Sequence, residues 1–326
     1  GLNIYAFGKL SEVVDFINKK KKVEKLQAKS KFASSDRFSK DFRDIKGQET
    51  AKRAILIAVS GGHPILMIGS PGVGKSMLAE RVPGIMPPLE RDEIIESSLI
   101  HSISSEMTDG KFTDTPPFRR PSVNISIPSL LGSGYPPNPG EITLAHRGVL
   151  FLEEINEMNR IAVDSLRVPL DRKCVCLNKR GEGFVYPADF LLISCANPCK
   201  CGYLYSRKKE CTCTPGEISA YKARLSGPIS DRIDIHICIN EPDFDELTVS
   251  DGMGSAEMRR KVLKVRKLQS KRYAREDFKL NSSIFDNKIA KYCSFDSDGE
   301  AFIKNAYKTL KLTPRSMVKI RKISRT

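Results

Sequence analysis

The sequence predicts an α/β domain built on a parallel sheet, followed by a small all-helical unit. Three observations carry that prediction. A glycine-rich run, Gly69-Ser70-Pro71-Gly72-Val73-Gly74-Lys75-Ser76, sits between an apolar stretch and a helical pattern. Short apolar, β-branched runs alternate with helical stretches, as strands buried on both faces require. Beyond Asp251 the strand signals stop and helical periodicity takes over.

Residues 1–40 are Lys-rich between Lys19 and Lys31 and then polar at Ser34-Ser35-Asp36, which reads as the tail of a preceding domain and a linker. Asp41 to Gln48 opens the next unit, which runs to residue 250. Ala51 to Val59 has helical spacing and stops at Gly61-Gly62. Ile65–Ile68 is the first strand, with Val149–Leu152, Phe190–Cys195 and Ile233–Ile239 as the others. Two segments interrupt this alternation. Residues 108–141 are rich in Pro and Gly and too long for a simple connection. Residues 173–188 read as a hairpin with the tip Arg180-Gly181-Glu182-Gly183. Cys174 and Cys176 fall on one face of its first strand and read as packing residues. Helices are expected at 255–273, 284–292, 298–311 and 314–325, which makes 251–326 the helical unit.

Composition bounds the function classes. A chain of 326 residues, 40% hydrophobic and 29% charged, can bury a full α/β core plus one or two smaller units. It contains no run of eighteen apolar residues, so no membrane-spanning helix and no membrane partner are indicated. Nine cysteines, an odd and mostly clustered set, do not form a secreted disulfide framework and point to a reducing cytoplasm. The net charge of +15 is uneven: +6 lies in residues 1–40 and +13 in 255–326, around a middle of −4. Basic flanks of this kind attract polyanions such as DNA. The alternative is a solvated helical surface.

The glycine-rich run fits the phosphate-loop pattern G-x-x-x-x-G-K-[ST] at every fixed position. Gly69, Gly72 and Gly74 let the backbone turn its N–H groups around an anion, with Ser70, Pro71 and Val73 between them. The helix that begins at Lys75, Ser76 and Met77 adds its positive dipole end. Lys75 can reach the outer phosphates of ATP, and the Ser76 hydroxyl can hold Mg²⁺. Val149-Leu150-Phe151-Leu152-Glu153-Glu154 is a strand that delivers paired acids to the carboxyl edge of the sheet. Glu153 there would orient the Mg²⁺ shell and Glu154 would polarise the attacking water. Asn197, at the end of the next strand, can bond the γ-phosphate or that water; the alternative is a turn cap before Pro198. Cys199, Cys201, Cys211 and Cys213 offer four thiolates for a structural zinc ion. Four unpaired thiols or a labile disulfide are the alternatives. His63, His101, His146 and His236 are scattered and form no cluster.

This order of motifs resembles the AAA+ ATPases, and more narrowly the magnesium chelatase-like AAA+ proteins of the ComM/YifB type. The matching stretches are Pro117–Pro121, Pro139–His146, Gly148–Leu152, Asn197–Tyr203 and Ser226–Asp234, and the likeness covers about residues 40–326. Residues 1–18 look like the end of a Lon-like domain, so the chain is expected to be a fragment. The resemblance implies a homo-oligomeric ring, a hexamer, that couples ATP hydrolysis to DNA remodelling in the manner of a branch-migration helicase. It makes Arg232 the arginine finger offered to a neighbouring subunit and Arg315 a lid arginine that touches the nucleotide of its own subunit. It identifies 108–141 as the helix-2 insert and 173–188 as the presensor hairpin, both directed into the pore, where Lys179 and Arg180 would grip phosphates. The sequence departs from the family at Glu153, where Asp is usual, which is expected to shift Mg²⁺ and slow turnover. It departs again at Ser122-Val123, where two histidines are frequent. The alternative function is a chelatase-type motor subunit driving Mg²⁺ insertion into a porphyrin. A nucleotide-binding scaffold without hydrolysis is a third.

Overall fold

In the computed structural model, residues 5–25, 40–104, 113–225, 227–243 and 252–326 are described. The later part of the Lys-rich stretch with Ser34-Ser35-Asp36, residues 108–112 of the insert, Ser226 and the expected boundary near residue 250 lie outside them.

Nine strands occur among the described residues: β1 (Ile65–Gly69), β2 (Phe118–Arg119), β3 (Gly132–Gly134), β4 (Pro137–Pro139), β5 (Val149–Leu152), β6 (Cys174–Lys179), β7 (Glu182–Pro187), β8 (Leu191–Ala196) and β9 (Ile235–Ile239). Five form one parallel sheet in the order β2-β5-β8-β1-β9. Ile65 pairs with Ile193 on one side and Ile235 on the other, and Val149 pairs with Leu191. All four expected strands are present. The fifth, β2, is two residues flanked by Pro117 and Pro121 and leaves no periodic signal in sequence.

The strands are apolar throughout because both faces are covered. Ile65, Met67, Val149, Phe151, Ile193 and Cys195 join one buried cluster, whereas Leu66, Leu150, Leu152, Leu192 and Ala196 join the other. The helix Glu49–Gly61 packs on the first face and ends where Gly62 takes φ +74°, a left-handed cap.

The hairpin β6–β7 pairs Cys174 with Pro187 through to Lys179 with Glu182. Its inward residues are Val175 and Leu177. The packing role expected of Cys174 and Cys176 is therefore corrected: period-2 alternation puts them on the opposite face, where Cys176 is exposed. Within the insert, the β3–β4 ribbon lies against this hairpin. Tyr135 meets Phe184 edge-on at 6.2 Å and Arg180 lies over the Tyr135 ring at 4.5 Å. At the base of the insert, Arg119 grips Glu141 through two parallel hydrogen bonds of 2.7 Å, so two of the family-like stretches are bound to each other.

In the helical unit, Ser255–Arg272 places Met258 and Val262 in the core cluster beside Ile55 and Val59. Gln269 Nε2 donates to Ser60 O at 2.9 Å and Arg266 Nη2 to Val59 O at 2.6 Å, closing the carboxyl end of Glu49–Gly61. Loss of water pulls the Arg266 pKa down to about 10. The helix expected at 284–292 begins only at Ile289, after single turns at Asn281–Ser283 and Asp286–Lys288. Ile284 is extended there: it packs into the Tyr273–Phe278 cluster while Phe285 meets Phe278 edge-on, which a continuous helix would not allow. Helices Ser297–Thr309 and Pro314–Ser324 fall as expected. No helix among the described residues is long and apolar enough to cross a membrane.

Candidate active site

The parallel sheet brings the carboxyl ends of β1, β5 and β8 side by side, and the expected site residues Gly69–Met77, Glu153, Glu154 and Asn197 follow these ends. Gly72 and Gly74 hold φ of +83° and +95°, and no atom lies within 4 Å of where a Cβ would stand on either. The loop is thus a backbone-lined concavity open enough to take an anion. At Gly69 the constraint is closeness, since a Cβ would lie 2.5 Å from Ile239 O.

Lys75 is buried at the floor of this concavity. Its Nζ donates to the carbonyl oxygens of Gly69 and Ser70 and, at 3.1 Å, to Asn197 Oδ1. Burial lowers the Lys75 pKa, and the nearby Cys195, Glu154 and Glu153 pull it back up. Burial also pushes the Cys195 thiol up to about 12, leaving it protonated beside the ammonium. An ammonium already stripped of water and turned into the loop can exchange carbonyl partners for phosphate oxygens at small desolvation cost.

The Ser76 hydroxyl donates to Glu153 Oε1, and Arg120 Nη2 donates to Glu153 Oε2. Burial would raise the Glu153 pKa, but these two hydrogen bonds and the charges of Arg120 and Lys75 hold it below the usual carboxylate range. Arg120 also bonds Glu80 Oε1 at 2.7 Å and lies over the Phe151 ring at 5.6 Å. The sequence names Arg120 only as part of the Pro117–Pro121 stretch and gives it no role. Glu154, one residue on, has φ +48°, a left-handed conformation that typically costs a side chain about 1–3 kcal/mol. The turn is pinned by Ile155 N to Cys195 O at 2.9 Å and Glu157 N to Glu154 O at 2.7 Å. Ser76 and Glu153 offer hydroxyl and carboxylate oxygens together, the donor chemistry Mg²⁺ takes.

A cleft of about 470 Å³ lies at the carboxyl end of β9, lined by Gly47, Gln48, Thr50, Asn240 and Gly252 among others. Gln48 Nε2 donates to Asn240 O at 2.7 Å. In the sequence, Gly47 and Gln48 stand out only as the end of the stretch that opens the unit.

Arg232 and Arg315 are not part of this cluster. Arg232 Nε and Nη2 bind Asp171 Oδ1 and Oδ2 at 2.9 and 2.5 Å, and Nη1 donates to Pro228 O at 2.7 Å. Its carboxylate partner is thus Asp171. Arg315 opens the helix Pro314–Ser324, whose Lys319 donates to Ile233 O at 2.8 Å, while Thr326 meets His63 Nε2 at 2.9 Å. Ile233 and His63 precede β9 and β1, so this helix docks at the foot of the sheet. The length of β1, roughly 13 Å, separates that foot from the phosphate loop. Arg315 stands one turn before Lys319 on this helix.

The four sulfur atoms of Cys199, Cys201, Cys211 and Cys213 lie within 4.8 Å of one another. Backbone N–H groups, that of Tyr203 foremost, draw the Cys201 pKa down to about 6.

Comparison with known proteins agrees with this architecture. The family described as "Magnesium chelatase, subunit ChlI" matches residues 41–247, and its C-terminal counterpart matches residues 252–326. The chain is 37% identical over 288 residues to "Uncharacterized protein YifB" of Salmonella typhimurium, covering 88% of this chain and 56% of the relative. It is 36% identical over 329 residues to "Competence protein ComM" of Haemophilus influenzae, covering 99% of this chain and 64% of the relative. It is 28% identical over 162 residues to the "Magnesium-chelatase 67 kDa subunit" of Chlorobaculum parvum, covering 48% of this chain and 23% of that one. The chain spans between about half and two thirds of the length of the first two. With both matches laid end to end on the parallel sheet and the helices behind it, the chain belongs to the magnesium chelatase-like family of AAA+ proteins.

Proposed function

We propose that this chain is the motor part of a ring-forming ATPase that spends ATP on moving or remodelling DNA. The observation that carries the ATPase reading is the convergence of Lys75, Ser76, Glu153 and Asn197 on one glycine-lined concavity. The loop amides and Lys75 hold the β- and γ-phosphates, and the base enters the cleft beside Gly47 and Gln48. Mg²⁺, when bound, would supply positive charge against the charge that develops on the phosphates. Ser76 and Glu153 would hold that ion, with Arg120 bonded to the other oxygen of the carboxylate. Glu154 takes the proton of the attacking water, and Asn197 positions that water or the γ-phosphate. Arg232 precedes β9, at the end of the sheet away from its own loop, so it serves the nucleotide of a neighbour in the ring.

The DNA part of the reading rests on the +13 charge of residues 255–326, on Lys179 and Arg180 at the hairpin tip, and on the similarity to a protein named for competence. A chelatase motor is the second reading, favoured by the likeness to a magnesium-chelatase subunit. The ATPase rate with and without branched DNA separates them. Stimulation by DNA, with binding that weakens steeply with salt, supports the motor on DNA; a rate indifferent to DNA favours the chelatase reading. Lys75→Ala is expected to weaken Mg·ATP binding at least about tenfold. Unchanged affinity in that variant removes the phosphate-loop assignment altogether.

A further inference from the structure

Between Ala196 and Pro215 the chain forms neither helix nor strand, and most of its side chains are at least partly exposed. Apolar burial cannot order such a segment. Yet Cys199 is wholly buried, and Gly202 N donates to Cys199 O at 3.0 Å in a tight turn. The sulfurs of Cys199 and Cys201 are 3.4 Å apart, those of Cys199 and Cys211 3.7 Å, and those of Cys201 and Cys211 3.6 Å. A tetrahedron with Zn–S bonds of about 2.3 Å has sulfur–sulfur edges of roughly 3.8 Å, whereas a disulfide needs about 2.05 Å. The spacing fits four ligands around one ion and no bonded pair. Soft sulfur donors alone, in tetrahedral array, select zinc over Mg²⁺. Lys200, Arg207, Lys208 and Lys209 lie in the same loop.

This loop touches the phosphate loop. Gly202 has φ +86°, and a Cβ there would stand 2.8 Å from Pro71 Cδ and 2.9 Å from Pro71 Cγ. One face of the Cys199–Gly202 turn therefore lies against the Pro71 ring, while its upstream end leads through Pro198 to Asn197, the partner of Lys75.

We propose that Cys199, Cys201, Cys211 and Cys213 bind one Zn²⁺, and that the closed knuckle braces Pro71 and Asn197 so that metal occupancy sets the affinity of the phosphate loop for nucleotide. The coupling rests on the nucleotide-binding reading above; the metal site does not. Removing the ion frees the turn, and the loop must then be ordered at the expense of nucleotide binding.

The test measures zinc content and the Kd for a fluorescent Mg·ATP analogue on the full chain, with circular dichroism to confirm folding. Wild-type protein is expected to carry about one zinc per chain. The double variant Cys211→Ser/Cys213→Ser should lose the metal and bind nucleotide about tenfold or more weakly. Cys174→Ser/Cys176→Ser, on the outer face of the β6–β7 hairpin, should keep both. Gly202→Ala, which sets a Cβ against Pro71 and strains a backbone at φ +86°, should lose affinity, with retained zinc showing that the Cys199–Cys201 turn has survived; it also serves if the cysteine variant does not fold. Less than about half an equivalent of zinc in the wild type, or full zinc in the folded Cys211→Ser/Cys213→Ser variant, overturns the metal site. Zinc that is lost without change in nucleotide affinity, or unchanged affinity in Gly202→Ala, overturns the brace. A zinc-loaded wild type that binds no Mg·ATP overturns the nucleotide reading and the brace with it, while the metal site stands.

Discussion

Glu153 and Glu154 are adjacent in sequence but meet different constraints. Successive side chains of a strand point to opposite faces, so two neighbouring acids cannot both serve one ion while the backbone stays extended. The left-handed turn at Glu154 breaks that alternation just after Glu153 has been captured by Ser76 and Arg120. Glu154→Gln is therefore expected to bind Mg·ATP within a few-fold of wild type while hydrolysis falls by about 10²–10⁴-fold. Equilibrium binding and single-turnover rates check this, and normal turnover would move the base elsewhere. These acids and the phosphate loop are legible in sequence because each is a contiguous run with a fixed spacing. Arg120 is not, because its partners Glu80 and Glu153 lie 40 and 33 residues away and meet it only once β2 pairs with β5.

Among the elements, strands covered on both faces declare themselves as unbroken apolar runs, whereas β2 is too short to do so. The helical unit was legible where the apolar period is regular and illegible at 284–288, where aromatic contacts rather than periodicity shape the backbone. Its own acid is instructive. Glu276 accepts from Tyr292 at 2.5 Å and Lys291 at 3.2 Å and pairs with Lys288 at 3.3 Å. The Tyr292 hydrogen bond above all, with the two lysines, holds its pKa at about 2 against an ordinary 4.5. A carboxylate depressed in this way stabilises the fold fully above its unfolded value and loses that contribution as pH falls through the folded one. Between pH 4.5 and 2 the melting temperature of Glu276→Gln should thus decline less steeply than that of the wild type. Equal slopes in thermal melts would show that the group is not coupled to folding.

At the scale of the whole molecule, the phosphate loop follows β1 while Arg232 precedes β9, so the two lie at opposite ends of the same sheet. In the single chain Asp171 occupies the Arg232 guanidinium. In the proposed ring, a neighbour's phosphates would compete with that carboxylate. Doping Arg232→Ala into wild-type protein is expected to depress ATP hydrolysis more than dilution alone. A rate strictly proportional to the wild-type fraction would remove the finger assignment. Net charge also has to be read through the fold: Arg266 is spent on Val59 O, whereas Arg260, Lys264, Lys267 and Lys271 of the same helix remain exposed. Sequence counts all five alike, since only packing decides which cations face water.

The paired hydrogen bonds between Arg119 and Glu141 have a mechanical consequence. They fasten the two feet of the intervening segment together, so a pull at its tip strains a closed hoop rather than peeling one strand from its neighbour. Such a tug would be delivered through β2 into β5, the strand that ends on the acids beside Ser76.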